Sequence, residues 1–332
     1  MTGGAGYVGG TVAGLLLERG HEAIIFDNFC HAQREMLPAG VPLIEGDLAD
    51  RPFLESIFAD ARAKGQPYDG VMHFAALIEA GESMKKPEIY FRNNTAATLS
   101  LLEAMHAQQI GKLCFSSTAA VYGEPEAVPI PEDARLAPTN AYGESKLLVE
   151  HMLRWFHSIH NLRYASLRYF NVAGAPETSD GIVRGEAHEP ESHLIPIILD
   201  VALGRRESIS IYGDDYPTPD GTCIRDYVHV SDLADAHLLA FTALDRADLG
   251  GRLIYNLGNG QGFSVREVIE SARRVTGHAI PTQLHPRRAG DPAVLVASSD
   301  KAIRELGWKP RYAQLDEILR TAWTWHQKRY AK

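Results

Sequence analysis

The sequence predicts an α/β protein: a doubly wound parallel sheet with helices on both faces, followed by a smaller C-terminal domain. Two observations predict the sheet. Short apolar runs lack strict alternation, as strands buried on both faces do, and amphipathic helical stretches separate them, which makes successive strands parallel. A third predicts the second domain: beyond residue 174 the elements shorten, after a stretch at 175–190 rich in Glu, Gly, Ser and Pro that reads as a loop.

In chain order, Ala23-Ile24-Ile25-Phe26, Val41-Pro42-Leu43-Ile44, Val71-Met72-His73-Phe74-Ala75, Lys112-Leu113-Cys114-Phe115-Ser116 and Tyr164-Ala165-Ser166-Leu167-Arg168-Tyr169 read as strands. Residues 7–20, 51–64, 88–109 and 141–160 carry helical periodicity between them. Further on, 208–212 reads as a strand, with helices from Ser231, at 265–276 and at 300–306. Residues 227–257 are apolar enough to return to the main sheet. The expected division is therefore 1–174 with 227–258 for the first domain, and 175–226 with 259–332 for the second.

The 332 residues suffice for two domains and a large core. A formal charge of −9 argues against a nucleic-acid partner, because phosphate binding leaves a basic footprint. The pairs Arg205-Arg206 and Arg287-Arg288 still allow a small anion to be held. No apolar run is long enough to span a membrane, and the glycine-rich start does not read as a signal peptide. The cysteines, Cys30, Cys114 and Cys223, are scattered and odd in number, so a reduced, cytoplasmic protein is expected. No His-Glu-x-x-His pattern occurs, and no metal is expected.

Thr2-Gly3-Gly4-Ala5-Gly6-Tyr7-Val8-Gly9 spaces glycines as a dinucleotide turn does, at Gly3, Gly6 and Gly9. One glycine makes the bend, one lets a pyrophosphate approach the backbone, and one lets helix pack on strand. The helix start then offers unpaired N–H groups to the phosphates. A flexible glycine-rich terminus has the same spacing; Asp27, closing the next apolar strand, points to the turn. A carboxylate there binds ribose hydroxyls and repels a 2′-phosphate, so NAD is favoured over NADP on a Rossmann-type sheet. Asp47, after the following strand, is placed to approach the adenine.

Tyr142-Gly143-Glu144-Ser145-Lys146 puts Tyr142 and Lys146 on one helix face. A tyrosine base near neutral pH needs a pKa drop of ~3 units, or ~4 kcal/mol, which an ammonium and an oxidised nicotinamide ring can provide. Thr118 ends the fourth visible strand, the edge at which open α/β sheets bind ligands; its hydroxyl is placed either to orient a substrate hydroxyl beside Tyr142 or to cap the loop that follows.

Together these motifs resemble the extended short-chain dehydrogenase/reductase superfamily. Asp27-Asn28-Phe29-Cys30, His73-Phe74-Ala75-Ala76, Gly81-Glu82-Ser83, Thr118-Ala119-Ala120-Val121-Tyr122-Gly123, Arg168-Tyr169-Phe170-Asn171, Arg225-Asp226-Tyr227-Val228-His229 and Arg287-Arg288-Ala289-Gly290-Asp291 narrow it. Over nearly the whole chain they look like the UDP-glucose 4-epimerase family. The resemblance implies reversible inversion at C4 of a UDP-hexose through a 4-keto sugar, with tightly held NAD, Tyr142 as base, Lys146 lowering its pKa and Thr118 orienting the hydroxyl. Carried over by motif, Tyr7, Val8, Asp27, Asn28, Phe29, Cys30, Asp47, Leu48, Phe74, Ala75, Ala76, Asn93 and Phe170 line the cofactor. Asn171, Leu194, Ser210, Ile211, Tyr212, Arg225, Arg288 and Asp291 hold the UDP-sugar. A homodimer through the 88–109 and 141–160 helices is also implied. Three positions depart from the pattern: Ile78 where some members carry Lys, His193 where some carry Asn, and Leu295 where a variable residue bears on acceptance of an N-acetyl group.

In this fold the glycine turn follows a central strand, yet only Met1 and Thr2 precede Gly3. About five buried apolar residues at ~1.5–3 kcal/mol each are missing, on the order of a whole domain's ~5–15 kcal/mol. The expectation is that the natural protein begins a few residues upstream and that, as written, a gap separates the Ile24 and Val71 strands. The rival activity on this scaffold is a nucleotide-sugar 4,6-dehydratase, whose elimination uses an Asp-Glu pair after the strand-end Thr. Ala119-Ala120 stand there instead. Other UDP-hexose 4-epimerases, acting on N-acetylhexosamine or glucuronate sugars, share the motifs.

Overall fold

The structure is a computed structural model and describes residues 1–177, 184–288 and 291–331. Part of the expected 175–190 loop and residues Ala289 and Gly290 of the 287–291 motif therefore lie outside the described residues. The first half runs α1 (Tyr7–Glu18), β1 (Ile25–Asp27), β2 (Leu43–Glu45), α2 (Arg51–Ala63), β3 (Val71–His73), α3 (Ala80–Ser83), α4 (Pro87–Tyr90), α5 (Ala97–Ala107), β4 (Lys112–Thr118), α6 (Ala141–His160) and β5 (Arg163–Tyr169). The second half continues with β6 (Asn171–Ala173), α7 (Leu194–Ala202), β7 (Ile209–Tyr212), β8 (Ile224–His229), α8 (Val230–Ala243), β9 (Arg252–Leu257), β10 (Gly262–Ser264), α9 (Val265–Thr276), β11 (Thr282–His285), β12 (Val294–Leu295), α10 (Asp300–Leu306) and α11 (Leu315–Arg329).

Two compact units result. The first comprises Met1–Glu124, Arg135–Arg168 and Ala236–Tyr255; the second comprises Pro125–Ala134, Tyr169–Asp235 and Asn256–Lys332. This division differs from the expected boundaries for a hydrogen-bonding reason. Ile130 N donates to Val296 O (2.8 Å) and Ser298 N to Ile130 O (2.9 Å), drawing 125–134 into the second unit. β6 pairs in parallel with β8, which takes 171–173 and the start of the 227–258 segment with it.

In the first unit β1 pairs with β2 in parallel, and a four-stranded sheet runs β3-β4-β5-β9. The expected gap between β1 and β3 is not open, because Met1–Gly3 threads it. Phe26 N donates to Met1 O (2.8 Å), Gly3 N to Phe26 O (2.9 Å), Thr2 N to Met72 O (3.0 Å) and Phe74 N to Thr2 O (2.8 Å). Thr2 thus bridges both neighbours in parallel. Helices α2, α5 and α6 cover this sheet through Leu54, Leu101, Leu102, Val149 and Leu153, packed with Phe26, Leu113, Phe115 and Tyr164. Asn140 caps α6, its Oδ1 accepting from Gly143 N (2.8 Å), and the helix stops at Asn161 in the left-handed region.

The expected single helix over 88–109 is instead broken into α4, a π-helical turn at Phe91–Ala96 and α5. Apolar spacing does not reveal the cause. Asn94, fully buried in the turn, accepts from Leu77 N (2.8 Å) and donates to Leu77 O (2.9 Å) and Ser145 Oγ (3.0 Å). A turn that widens to serve such a side chain is where π-helix is usually found.

In the second unit α7, α9 and α11 share an apolar core that includes Ile198, Leu199, Val268, Ile269, Ile318 and Leu319. β7 pairs with β11 in parallel, while β8 is flanked by β10 (antiparallel) and by β12 and β6 (parallel). Among the described residues no helix is long and apolar enough to cross a membrane.

Candidate active site

The three glycines of the turn differ in what surrounds them. Gly3 has φ +69°, and a Cβ there would lie 2.4 Å from Ala75 N. A Cβ on Gly9 would lie 2.3 Å from Gly3 O, so helix and turn touch backbone to backbone. Gly6 differs: its Cβ would meet only Gly3 O, at an ordinary 3.5 Å. Nothing in the packing requires glycine there. Gly6 is also the N-cap of α1, with no side chain capping the first-turn N–H groups that Tyr7 and Val8 open. A cradle that a methyl group would fill, at an uncapped helix start, fits a pyrophosphate.

Asp27 closes β1 and is buried. Its Oδ2 accepts from Ala5 N (3.0 Å) and its Oδ1 from Phe29 N (2.9 Å), which ties it to the glycine turn. Each carboxylate oxygen retains a second lone pair for a ribose hydroxyl. Beyond it, Asn28 Nδ2 donates to Asp47 Oδ2 (2.9 Å), and Cys30 N donates to Asn28 Oδ1 (3.1 Å). Leu48 is buried beside them in sequence. Phe74, Ala75 and Ala76 follow β3, with Phe74 and Ala75 N both donating to Thr2 O. Asn93 Nδ2 donates to Asn94 Oδ1 (3.0 Å) in the π-helical turn.

Thr118 ends β4, its Oγ1 accepting from Ala120 N (3.1 Å). It is hydrogen-bonded with Tyr142, which lies in the first turn of α6. Burial lifts the Tyr142 phenol above its ordinary value; the Thr118 hydrogen bond lowers it by less, and the Glu79 carboxylate raises it further. Lys146 is 2% exposed and donates from Nζ to Ser116 O (2.8 Å), with the Phe115 ring 4.9 Å away. Burial drops its pKa to about 7. The expected depression of the tyrosine by the lysine is thus not a property of the chain alone. A buried ammonium with spare donors beside a phenol fits a ribose and an oxidised nicotinamide.

The second unit gathers the other predicted residues. Phe170 is buried and donates its N–H to Leu257 O (3.2 Å), and Asn171 opens β6. Leu194 begins α7. Ser210, Ile211 and Tyr212 lie on β7, where the Arg288 guanidinium stacks 4.0 Å over the Tyr212 ring. Arg225 on β8 is ion-paired with Asp291. The Cys223 thiol feels Arg225, Asp291 and Arg288, which places these charges in one patch.

Three positioning features escaped the sequence reading. Ser83 Oγ, fully buried, accepts from Tyr142 N (3.1 Å). Asn94 holds Ser145, whose Oγ donates to Tyr142 O (2.7 Å). Glu150 on α6 accepts from Ser117 Oγ (2.6 Å) and Arg168 (2.6 and 3.0 Å), and Arg168 donates to Tyr122 Oη (2.9 Å). Ser83 and Arg168 stood inside quoted motifs, but their partners are 59 and 18 residues away along the chain.

Residues 1–258 match the NAD dependent epimerase/dehydratase family. The chain belongs to that family. Within the epimerase/dehydratase family it is 53% identical to a UDP-glucose 4-epimerase of Streptomyces lividans over 326 residues, covering 98% of this chain and 95% of the relative. It is similar to a crystal structure of UDP-glucose 4-epimerase at TM-score 0.93 and 49% identity, covering 99% of this chain and 97% of the other. A Bifidobacterium longum UDP-glucose 4-epimerase in complex with NAD+ and UDP follows it at TM-score 0.90 and 38% identity, covering 99% and 97%.

Proposed function

We propose that this protein is an isomerase that interconverts UDP-glucose and UDP-galactose by NAD-dependent inversion at C4. The observation that carries the reading is the Thr118–Tyr142 hydrogen bond at the end of β4, one helical turn from the buried Lys146. Bound NAD supplies a hydride acceptor and donor and, when oxidised, a positive charge. Gly3, Gly6, Gly9 and Asp27 hold it at the α1 start and the β1 end. Tyr142, as phenolate, removes the proton of the 4-hydroxyl and later returns it. Thr118 orients that hydroxyl, and Lys146 donates to the nicotinamide ribose. Arg225 and Arg288 match the diphosphate, since guanidinium forks fit phosphate oxygens, with Asp291 holding Arg225 in place.

Ala119 and Ala120 favour epimerisation over 4,6-dehydration, because neither offers the acid or base that removing water requires. The test is Tyr142→Phe assayed with UDP-galactose. Conversion falls by about 10²–10⁴-fold while bound NAD is retained; full turnover in that variant rejects the assigned base.

We further infer a homodimer formed through α5 and α6, whose outer faces leave Leu99 38%, Trp155 60% and Ile159 63% exposed. The thiols of Cys30, Cys114 and Cys223 are unpaired, which supports a cytoplasmic setting.

A further inference from the structure

The segment leading into α7 holds a cluster that the epimerase reading does not use. A carboxylate oxygen of Glu186 and one imidazole nitrogen each of His188 and His193 all lie within 4.8 Å of one another. Ligand atoms of a tetrahedral zinc ion, bound at about 2.0–2.2 Å, sit roughly 3.3–3.6 Å apart, which is within the span of this cluster. Glu186 already contacts His188 Nδ1, and the two imidazole rings are 5.5 Å apart.

The surroundings are built rather than incidental. Glu186 Oε1 also accepts from Ala187 N (2.8 Å) and His188 N (3.2 Å), which fixes the carboxylate. Trp325 Nε1 donates to Glu186 O (3.0 Å), anchoring the segment to α11, and a Cβ on Gly185 would lie 2.3 Å from Trp325 Cδ1. Glu191 Oε1 contacts His193 Nδ1 at 2.7 Å. A carboxylate in that place fixes the imidazole tautomer and leaves Nε2 as the basic nitrogen, the usual arrangement behind a metal-bound histidine. The Glu186 and Glu191 side chains are only 13% and 11% exposed.

We propose that Glu186, His188 and His193 bind a divalent cation of the zinc class, with Glu191 as the positioning residue for His193. The ion clips the segment to the start of α7, where His193 is the N-cap residue before Leu194. One carboxylate and two imidazoles are a donor set that zinc commonly takes. The spacing, Glu-x-His with a second His five residues on, matches none of the common zinc signatures, which is why sequence reading passed over it.

The proposal stands apart from the epimerase reading, and its test reads metal rather than turnover. Tag-free, full-length protein is loaded with Zn²⁺, dialysed, and analysed for metal per chain. Close to one equivalent is expected to remain, and to be lost in His188→Ala and in His193→Ala. Glu191→Gln weakens binding by about 10–100-fold, while His21→Ala, an exposed histidine elsewhere, retains the ion. Far-UV circular dichroism and bound NAD report that each variant is folded. Wild-type protein alone gives a second reading: Co²⁺ develops the visible bands of a low-coordinate site, and one equivalent of Zn²⁺ abolishes them. A wild-type chain that retains no zinc, a His188→Ala/His193→Ala variant that retains as much as wild type, or a Co²⁺ spectrum like that of the hydrated ion overturns the proposal.

Discussion

At Tyr142 burial and hydrogen bonding pull in opposite directions, and burial prevails. A phenol held above its ordinary pKa is a poor base, so under the proposed mechanism its activation belongs to the loaded enzyme. Lys146 carries the matching cost. Its folded pKa of about 7 lies below the ordinary 10.5 because the charged form is desolvated. The destabilisation therefore sets in as pH falls through the unfolded value and is complete below about 7. Lys146→Met removes that cost: in cofactor-free protein its gain in Tm over wild type should be absent near pH 11, grow as pH falls towards 7, and level off below. Thermal melts across that range check this, and turnover should be lost in the same variant. The glycines allow a sharper contrast. Gly9→Ala places a methyl 2.3 Å from Gly3 O and should lower Tm, whereas Gly6→Ala has room and should keep the fold while weakening NAD retention at least tenfold. Equal effects of the two substitutions on Tm and on NAD content would remove the assignment of Gly6 to the pyrophosphate.

At the scale of elements, α6 carries Tyr142 and Lys146, the proposed catalytic pair, and is held from several directions. Ser83 meets its first turn, Asn94 reaches it through Ser145, and Glu150 ties it to the end of β4 and to β5. Glu150 and Arg168 are 5% and 2% exposed, so removing one charge strands the other. Glu150→Ala should destabilise the protein by about 3–5 kcal/mol, measurable by urea unfolding, with a smaller loss in an uncharged Glu150→Gln/Arg168→Met pair. A strand such as β1 was legible because burial on both faces writes itself as an unbroken apolar run, here Ala23-Ile24-Ile25-Phe26. The break between α4 and α5 was not, because it follows from a polar contact between Asn94 and residues 17 and 51 positions away. The placement of Asp27 at the end of β1 and of Tyr142 and Lys146 one turn apart on α6 was legible because each depends on a fixed local offset. The Tyr142 environment was not, since it depends on what encloses the hydroxyl.

For the whole molecule, the parallel pairing of β1 with β2 and of β3 with β4 followed from the alternation of strand and helix. The expected gap did not appear, because three residues of backbone, Met1–Gly3, satisfy both flanking strands by hydrogen bonds that side-chain patterning does not encode. The unit boundaries shifted for the same reason, with single bridges such as Ile130 to Val296 reassigning a segment. Association belongs to this scale as well. The proposed dimer through α5 and α6 predicts that Trp155→Glu, on the exposed face of α6, yields a monomer in sedimentation experiments without altering bound NAD. The most direct test of the central claim is to incubate the purified protein with UDP-galactose, adding no dinucleotide, and to identify the sugar formed. The account predicts UDP-glucose approaching a fixed equilibrium ratio from either direction. A dehydrated 4-keto-6-deoxy product, or no conversion by protein shown to contain NAD, would contradict it.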